Sequence, residues 1–441
     1  MNLLPYRDAT GFLQAVPLPE MVLLRQRFPR PSVNDVSEAV VTALDGANVA
    51  AKIQPGARIA IAVGSRGIAD ISITVRALVA TLRRYGAEPL IIPAMGSHGG
   101  GTAEGQREVL ESLGVTEAFV GAPIISSLDV DVLGTLPNGM PMHIDRVANL
   151  ADGIVVVNRV KPHTSFIAPI ESGLSKMIAI GLGKHAGALT IHAWGIEGLS
   201  KYVAEAAKFV VAHSRILFGL AIVENSFDEV AEISVVPPEG IGNEPERLLL
   251  ERAKAMMPRL PWNSLDVLVV DKMGKNISGA GIDTNIVGRM RCFTEQKATA
   301  TDITNITVHD LTEESHGNAI GLGTADFTTA RLLGKVDFQS MYINCLTAGV
   351  IAMSGAKIPI VLPTDREAVA AAIRSCGHPD LSRVCLARIE STLRLEYILA
   401  STASLDHLRS GCYVEVLSAP RPFSFRPDGS LMPFGSAHIA H

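Results

Sequence analysis

Cysteine is scarce in this chain of 441 residues. There are five, Cys292, Cys345, Cys376, Cys385 and Cys412, an odd number with no CxxC pair. That pattern argues against a disulfide framework and predicts reduced thiols in a cytoplasmic protein. A basic excess is also lacking. The formal charge is −5 and the pI is near 6.2, so no electrostatic footprint points to nucleic acid or an anionic membrane. No apolar run reaches the roughly 18 residues of a membrane span. The opening segment has no basic stretch leading into a long apolar run, so no signal peptide is expected. HExxH, Cys/His clusters, G-x-G-x-x-G and a Walker A lysine are missing too. Neither a metal held mainly by side chains nor a standard nucleotide loop is therefore expected. There is no internal repeat, heptad or low-complexity tract.

What is present is a core. Apolar residues make up 47% and charged residues 19%, and the length predicts two domains. Ala57–Val63 reads as a buried strand and Ile71–Tyr85 as an amphipathic helix closed by Gly86. Pro89–Pro93 reads as a second strand, and Thr102 as the cap of a helix ending before Gly114. Gly153–Val157 begins another strand unit. This alternation predicts an α/β fold whose sheets are mainly parallel or mixed and flanked by helices. Loops at the carboxyl ends of such strands form the usual binding crevice. A hairpin is expected over Ile216–Val236 and a charged helix over Glu246–Met257. A fresh α/β pattern starts at Trp262–Val270, which places the boundary near residue 260, with domains 1–260 and 261–441.

Several residues could carry chemistry. His98 sits in GSHGGGT at a strand end, among glycines that permit close ligand approach and before a helix N-terminus that favours anions. An incidental histidine in a flexible turn reads the same motif equally well. A second stretch opens on His163 and closes on His192, with Lys161, Lys176, Lys184 and His185 between them. Lys176 lies just past Ser172–Gly173 in an apolar segment, a setting that makes a lysine more nucleophilic. The plain alternative is a solvated lysine and satisfied histidines. His185 and His192, seven apart, would share a helix face, but Gly181, Gly183 and Gly187 argue against one continuous helix. Arg66, after the first strand, could grip a carboxylate or phosphate. So could Lys275, Arg289 or Arg291 around the glycine-rich run 274–288, where ordinary surface cations are the alternative.

Taken in order, Arg66, Gly96–Ser97–His98, His163, Ser172–Gly173–Leu174–Ser175–Lys176 and His192, 16 residues past the lysine, resemble the pattern of nickel-dependent lactate racemases. The resemblance covers most of the chain and is weakest after about residue 330. It implies a site in an interdomain cleft and a nickel-pincer nucleotide covalently attached to Lys176. Arg66, Ser172 and Gly173 would lie beside that group. It implies His192 as the nickel ligand, and His98 and His163 as paired acid/bases. One would take the hydroxyl proton of a 2-hydroxy acid as hydride leaves C2, and the other would serve the opposite enantiomer. Cofactor-making enzymes would be required partners.

The second-domain motif departs from the resemblance. The family pattern runs roughly G-x-P-x-D-x-N-x-Y-Q-x-x-K, and this chain has GAGIDTNIVGRMR over 279–291. Gly279, Asp283 and Asn285 match. The proline becomes Gly281, the tyrosine and glutamine become Val287 and Gly288, and the lysine becomes Arg291. An acidic residue three before the strand-end arginine becomes Val63. These changes predict a racemase or epimerase of a 2-hydroxy acid larger than lactate, with Arg66, Arg289 or Arg291 on a carboxylate. A non-catalytic anion-binding protein of the same fold, or a hydrolase or transferase using His98 and Lys176 directly, remains as an alternative. In a panel of 2-hydroxy acids followed by chiral chromatography, lactate should not be the best substrate; lactate at the top would remove the size argument.

Overall fold

The computed structural model describes residues 11–65, 67–289 and 301–434. Arg66 and Arg291 lie outside the described residues, as does Cys292. The chain divides into two compact units, residues 29–257 on the one hand and 1–28 with 258–441 on the other. Strand β1 (Glu20–Gln26) belongs to the second of these.

The unit 29–257 is built on a five-stranded sheet. Its strands are β2 (Arg58–Val63), β3 (Glu88–Pro93), β6 (Gly153–Arg159), β7 (Ile216–Glu224) and β8 (Val230–Val236), with a separate hairpin of β4 (Val130–Thr135) and β5 (Pro141–Asp145). The sheet order is β3-β2-β6-β7-β8. The first four strands run parallel and β8 returns antiparallel to β7. Both faces are covered, which is why β2 and β6 read as unbroken apolar runs. On one face Ile59, Ile61, Val63, Val155 and Val157 pack with Val40, Leu44, Val75 and Leu78 of helices 36–46 and 71–84. On the other, Leu174 lies so close to β7 that a side chain at Gly219 would meet its Cδ1 at 2.5 Å.

The strand connections fix where a ligand can sit. From β2 the chain crosses to β3 on one side, and the next strand of the sheet, β6, lies on the other. This reversal falls at the carboxyl ends of β2 and β6, the position where parallel α/β sheets bind ligands.

Several sequence expectations hold closely. Helix 71–84 ends at Tyr85. Thr102 caps helix 103–112 through Gly105 N at 3.0 Å, and the hairpin breaks between Glu224 and Val230. The helical stretch after Gly173 is discontinuous. It runs as Leu174–Lys176, a π-helical segment Met177–Leu182 and helix Lys184–Ala193, with Lys184 at φ 53° at the junction; contrary to the expectation from Gly187, His185 and His192 share that last, unbroken helix.

The second unit holds β9 (Ser264–Met273), β10 (Asp302–Leu311), β11 (Phe327–Thr329), β12 (Ile360–Leu362), β13 (Leu386–Ile389), β14 (Tyr397–Ser401), β15 (Val414–Val416) and β16 (Arg421–Pro422). The order is β12-β11-β10-β9-β13-β14-β1-β15, with β16 also pairing with β1. β9 to β13 run parallel and the remainder antiparallel. Helix 365–375 buries Ala368, Val369, Ala372 and Ile373 against Val267, Val269 and Leu386. Among the described residues no helix is long and apolar enough to cross a membrane.

One ion pair in the first unit is wholly buried. Lys184 Nζ lies 3.0 Å from Asp145 Oδ2, and both side chains are fully shielded from solvent. Burial pulls the Lys184 ammonium below the ordinary lysine range, and Asp145 partly offsets this. Removing one partner of a buried pair strands the other charge, at a cost of about 3–5 kcal/mol. Asp145→Asn keeps a side-chain oxygen for the cap on Ala148 N and should lower unfolding free energy by about that amount in denaturant titration. A loss below about 1 kcal/mol would mean that Lys184 finds another counter-charge.

Candidate active site

Three loops leave the carboxyl edge of the first sheet side by side. Ser65 follows β2, His98 follows β3, and Lys161–His163 follow β6. Because β3 and β6 flank β2 at a strand spacing near 4.8 Å, the two histidine loops emerge roughly 10 Å apart, a span that suits a small molecule.

His98 is exposed, and its Nδ1 meets Ser65 Oγ in a short hydrogen bond. The loop beneath it is fixed from inside. Gln106 Nε2 donates to the carbonyls of Gly96 at 2.8 Å and His98 at 3.3 Å. Lys184 Nζ donates to the Pro93 carbonyl at the end of β3 and to Gln106 Oε1 at 3.5 Å. Gly99 sits at φ 64°, and a Cβ there would lie 2.5 Å from Gln106 N. The glycine run is needed for this close approach of loop to helix.

His163 is half-buried and stacked on Phe166 with ring centroids 4.4 Å apart. Its Nδ1 accepts from Ser165 N at 3.0 Å, and its Nε2 lies 2.8 Å from Lys176 Nζ. The loop is pinned by Glu171, a buried carboxylate that accepts from His163 N at 2.7 Å and Ala168 N at 3.3 Å and pairs with Lys254 at 2.8 Å.

Lys176 is aimed by a second buried carboxylate. Glu246 accepts from Ser175 N at 2.9 Å, Ser175 Oγ at 2.6 Å and Gly242 N at 2.8 Å. This places negative charge at the start of the helix that carries Lys176, where the helix dipole favours it. Gly173 must be small, since a Cβ would lie 2.6 Å from Glu246 Oε1, and its carbonyl accepts from Asn158 Nδ2 at 2.8 Å. Ser172 is tied to Lys161 through a pair of backbone hydrogen bonds, at 2.9 and 3.3 Å. A π-helical segment follows Lys176 directly, a rare geometry that is frequent at functional sites.

His192 lies half-buried near the end of helix 184–193, and His185 is exposed on its first turn. Lys184, which the sequence places between His163 and His192, is the buried ion-pair member described above. Among the described residues no group of three or more His, Cys, Asp or Glu side chains could hold a metal ion.

The structure therefore brings His163 and Lys176 into contact and sets the His98 loop on the same sheet edge. The sequence reading missed Glu171, Glu246, Ser65 and Gln106. Glu246 lies 71 residues from Ser175, so no local spacing could reveal it.

The glycine-rich run of the second unit is a packed turn. Gly281 has φ 73°, a value closed to proline, and a Cβ there would lie 2.6 Å from the Ile320 carbonyl oxygen. Val287 is fully buried and Gly288, at φ 72°, ends helix 284–287. The Arg289 guanidinium pairs with Asp326 at 2.6 Å and donates to the carbonyls of Thr324, Ile303 and Thr304. Lys275 donates to Gly279 O at 2.7 Å and Asn344 Oδ1 at 3.0 Å.

At the carboxyl edge of the first sheet, His163 on the loop after β6 thus meets Lys176 on the helix that follows Gly173. Residues 14–200 match the lactate racemase N-terminal domain. The lactate racemase apoprotein of Thermoanaerobacterium thermosaccharolyticum is similar in structure, at 15% identity and a TM-score of 0.46, over 80% of this chain and 81% of that one. A Thermotoga maritima protein is similar at 13% identity and a TM-score of 0.49, over 84% and 99%. No curated protein matches the sequence.

Glu171→Gln removes the charge facing Lys254 and one acceptor of the His163 loop. The loss of a charged hydrogen bond costs about 1–3 kcal/mol locally. Amide hydrogen exchange at His163 should speed up about tenfold or more relative to Val155 in the sheet; equal rates would show that the loop does not depend on this carboxylate.

Proposed function

We propose that the protein is a racemase or epimerase of a 2-hydroxy acid larger than lactate, working with a nickel-pincer nucleotide carried on Lys176. The observation that supports this most is one of position. His98, His163, Lys176 and His192 all fall inside the segment that matches the lactate racemase N-terminal domain, and His163 meets Lys176 at 2.8 Å.

The residues fit such a group. A nickel ion here would take one ring nitrogen from His192 and its other donors from the bound nucleotide. When bound, the nucleotide supplies reversible uptake of the C2 hydride, which no side chain can provide. The chain's own part is proton handling and positioning. His98, whose Nδ1 is engaged by Ser65, exchanges the hydroxyl proton at Nε2 for one enantiomer, and His163 does so for the other. A neutral imidazole suits both directions. Ser172 and Gly173 form the approach to the anchor. The substrate carboxylate is assigned to Arg66 and Arg291; Arg289 is already engaged by Asp326 and three carbonyls. The larger substrate rests on the family's tyrosine and glutamine positions being Val287 and Gly288. The cofactor-making enzymes are the partners this reading requires, and a reducing cytoplasm suits the free thiols of Cys345, Cys376, Cys385 and Cys412.

Protein co-expressed with the cofactor-making enzymes should carry a nucleotide adduct in intact-mass spectra, and Lys176→Ala should lose it. The loaded protein should interconvert the enantiomers of a C2-deuterated substrate with the deuterium retained. Washout of deuterium into water would instead indicate proton abstraction at C2, and no adduct under these conditions would sink the proposal. A loaded protein that turns over no 2-hydroxy acid would be a binding protein.

A further inference from the structure

We propose that His163 holds Lys176 as a neutral amine before any group is attached, so that the chain itself prepares Lys176 for acylation. This rests on the reading of Lys176 as the covalent anchor and adds how that anchor is made reactive.

The argument is one of donors and acceptors. A neutral imidazole has one N–H and one lone-pair nitrogen. The Ser165 backbone N–H points at Nδ1 at 3.0 Å, and a backbone amide can only donate. Nδ1 is therefore the lone-pair nitrogen, and Nε2 carries the hydrogen. Nε2–H faces Lys176 Nζ at 2.8 Å. An ammonium has three donors and no acceptor, so it would set hydrogen against hydrogen across that contact. A neutral amine has the lone pair that Nε2–H needs. Protonating either side chain costs a hydrogen bond. Three further features keep the contact in place: Phe166 stacked on the ring, Glu171 on the His163 amide and Glu246 on the amide and hydroxyl of Ser175.

A neutral primary amine is a nucleophile for an activated carboxyl or thiocarboxyl carbon. In that step the Nζ lone pair forms the N–C bond. The bond to the leaving group breaks with its electron pair, and one amine proton passes to solvent. No oxidant or reductant is involved. The product is an amide or thioamide, whose nitrogen lone pair is delocalised and no longer accepts from Nε2–H. Acylation thus removes the acceptor that occupied His163 and leaves its Nε2–H free to donate a hydrogen bond to substrate. Loading of the anchor and release of the His163 donor are one event.

The test uses the full chain made without the cofactor-making enzymes. It is treated at neutral pH with the acetyl ester of sulfo-N-hydroxysuccinimide, and labelling is followed by peptide mass mapping. Lys176 should acetylate about tenfold or more faster than exposed Lys52, because an ordinary lysine is almost wholly ammonium at that pH. His163→Gln offers a carbonyl oxygen that an ammonium can donate to, and should bring Lys176 down towards the Lys52 rate. In the unmutated chain, nitrogen-15 imidazole spectra should show His163 as the Nε2–H tautomer before acetylation and a changed ring environment after it. Labelling of Lys176 no faster than Lys52, or an Nδ1–H tautomer, overturns the proposal. Fast labelling in a protein that gains no adduct from the cofactor-making enzymes supports the primed amine while removing the anchor, so the two readings fail separately.

Discussion

The buried Lys184–Asp145 pair is the interaction on which the geometry of the sheet edge depends. Lys184 opens the helix that carries His192. Its ammonium reaches the last carbonyl of β3 and the side chain of Gln106, and Gln106 in turn holds the carbonyls of Gly96 and His98. One cation therefore ties the His192 helix, the end of β5 and the His98 loop together. A buried charge of this kind adds little net stability compared with a well-packed apolar group. What it provides is register: these elements meet in one arrangement or leave a charge unpaired.

Two buried carboxylates do the corresponding work on the other side of β2. Glu171 holds the backbone of the His163 loop and Glu246 holds the start of the Lys176 helix. Each takes donors from a segment that would otherwise present unsatisfied amides. Both are apart from the proton-exchanging atoms. Their effect is to bring a ring nitrogen and an amine to hydrogen-bond distance, and Ser165 then decides which of the two carries the hydrogen.

The α/β alternation of residues 57–270 was legible in the sequence because a parallel sheet covered on both faces leaves unbroken apolar strands between amphipathic helices. The candidate residues were legible by order, and two of them, His163 and Lys176, prove to be in contact. The partners that hold them were not. Glu246 and Asp145 look like ordinary charged residues and gain their role only when the chain folds back. Lys184 was visible as a lysine in a suggestive stretch, but its burial was not. Strand β1 was missed because its hydrogen-bonding partners are at the far end of the sequence. The proline missing at Gly281 has a local reason, since a turn at φ 73° cannot hold one.

That last pairing has a consequence for how the protein is made. Residues 29–257 are continuous and can close as soon as they leave the ribosome, whereas Arg25 of β1 waits for Glu396, 371 residues later. At bacterial-to-eukaryotic elongation rates the delay is roughly 20–70 s. Throughout it, the apolar side chains of β1 face no completed sheet, so the nascent chain carries an unpaired strand ahead of the finished unit. A chaperone that binds Glu20–Gln26 would protect the half of the molecule that is finished last.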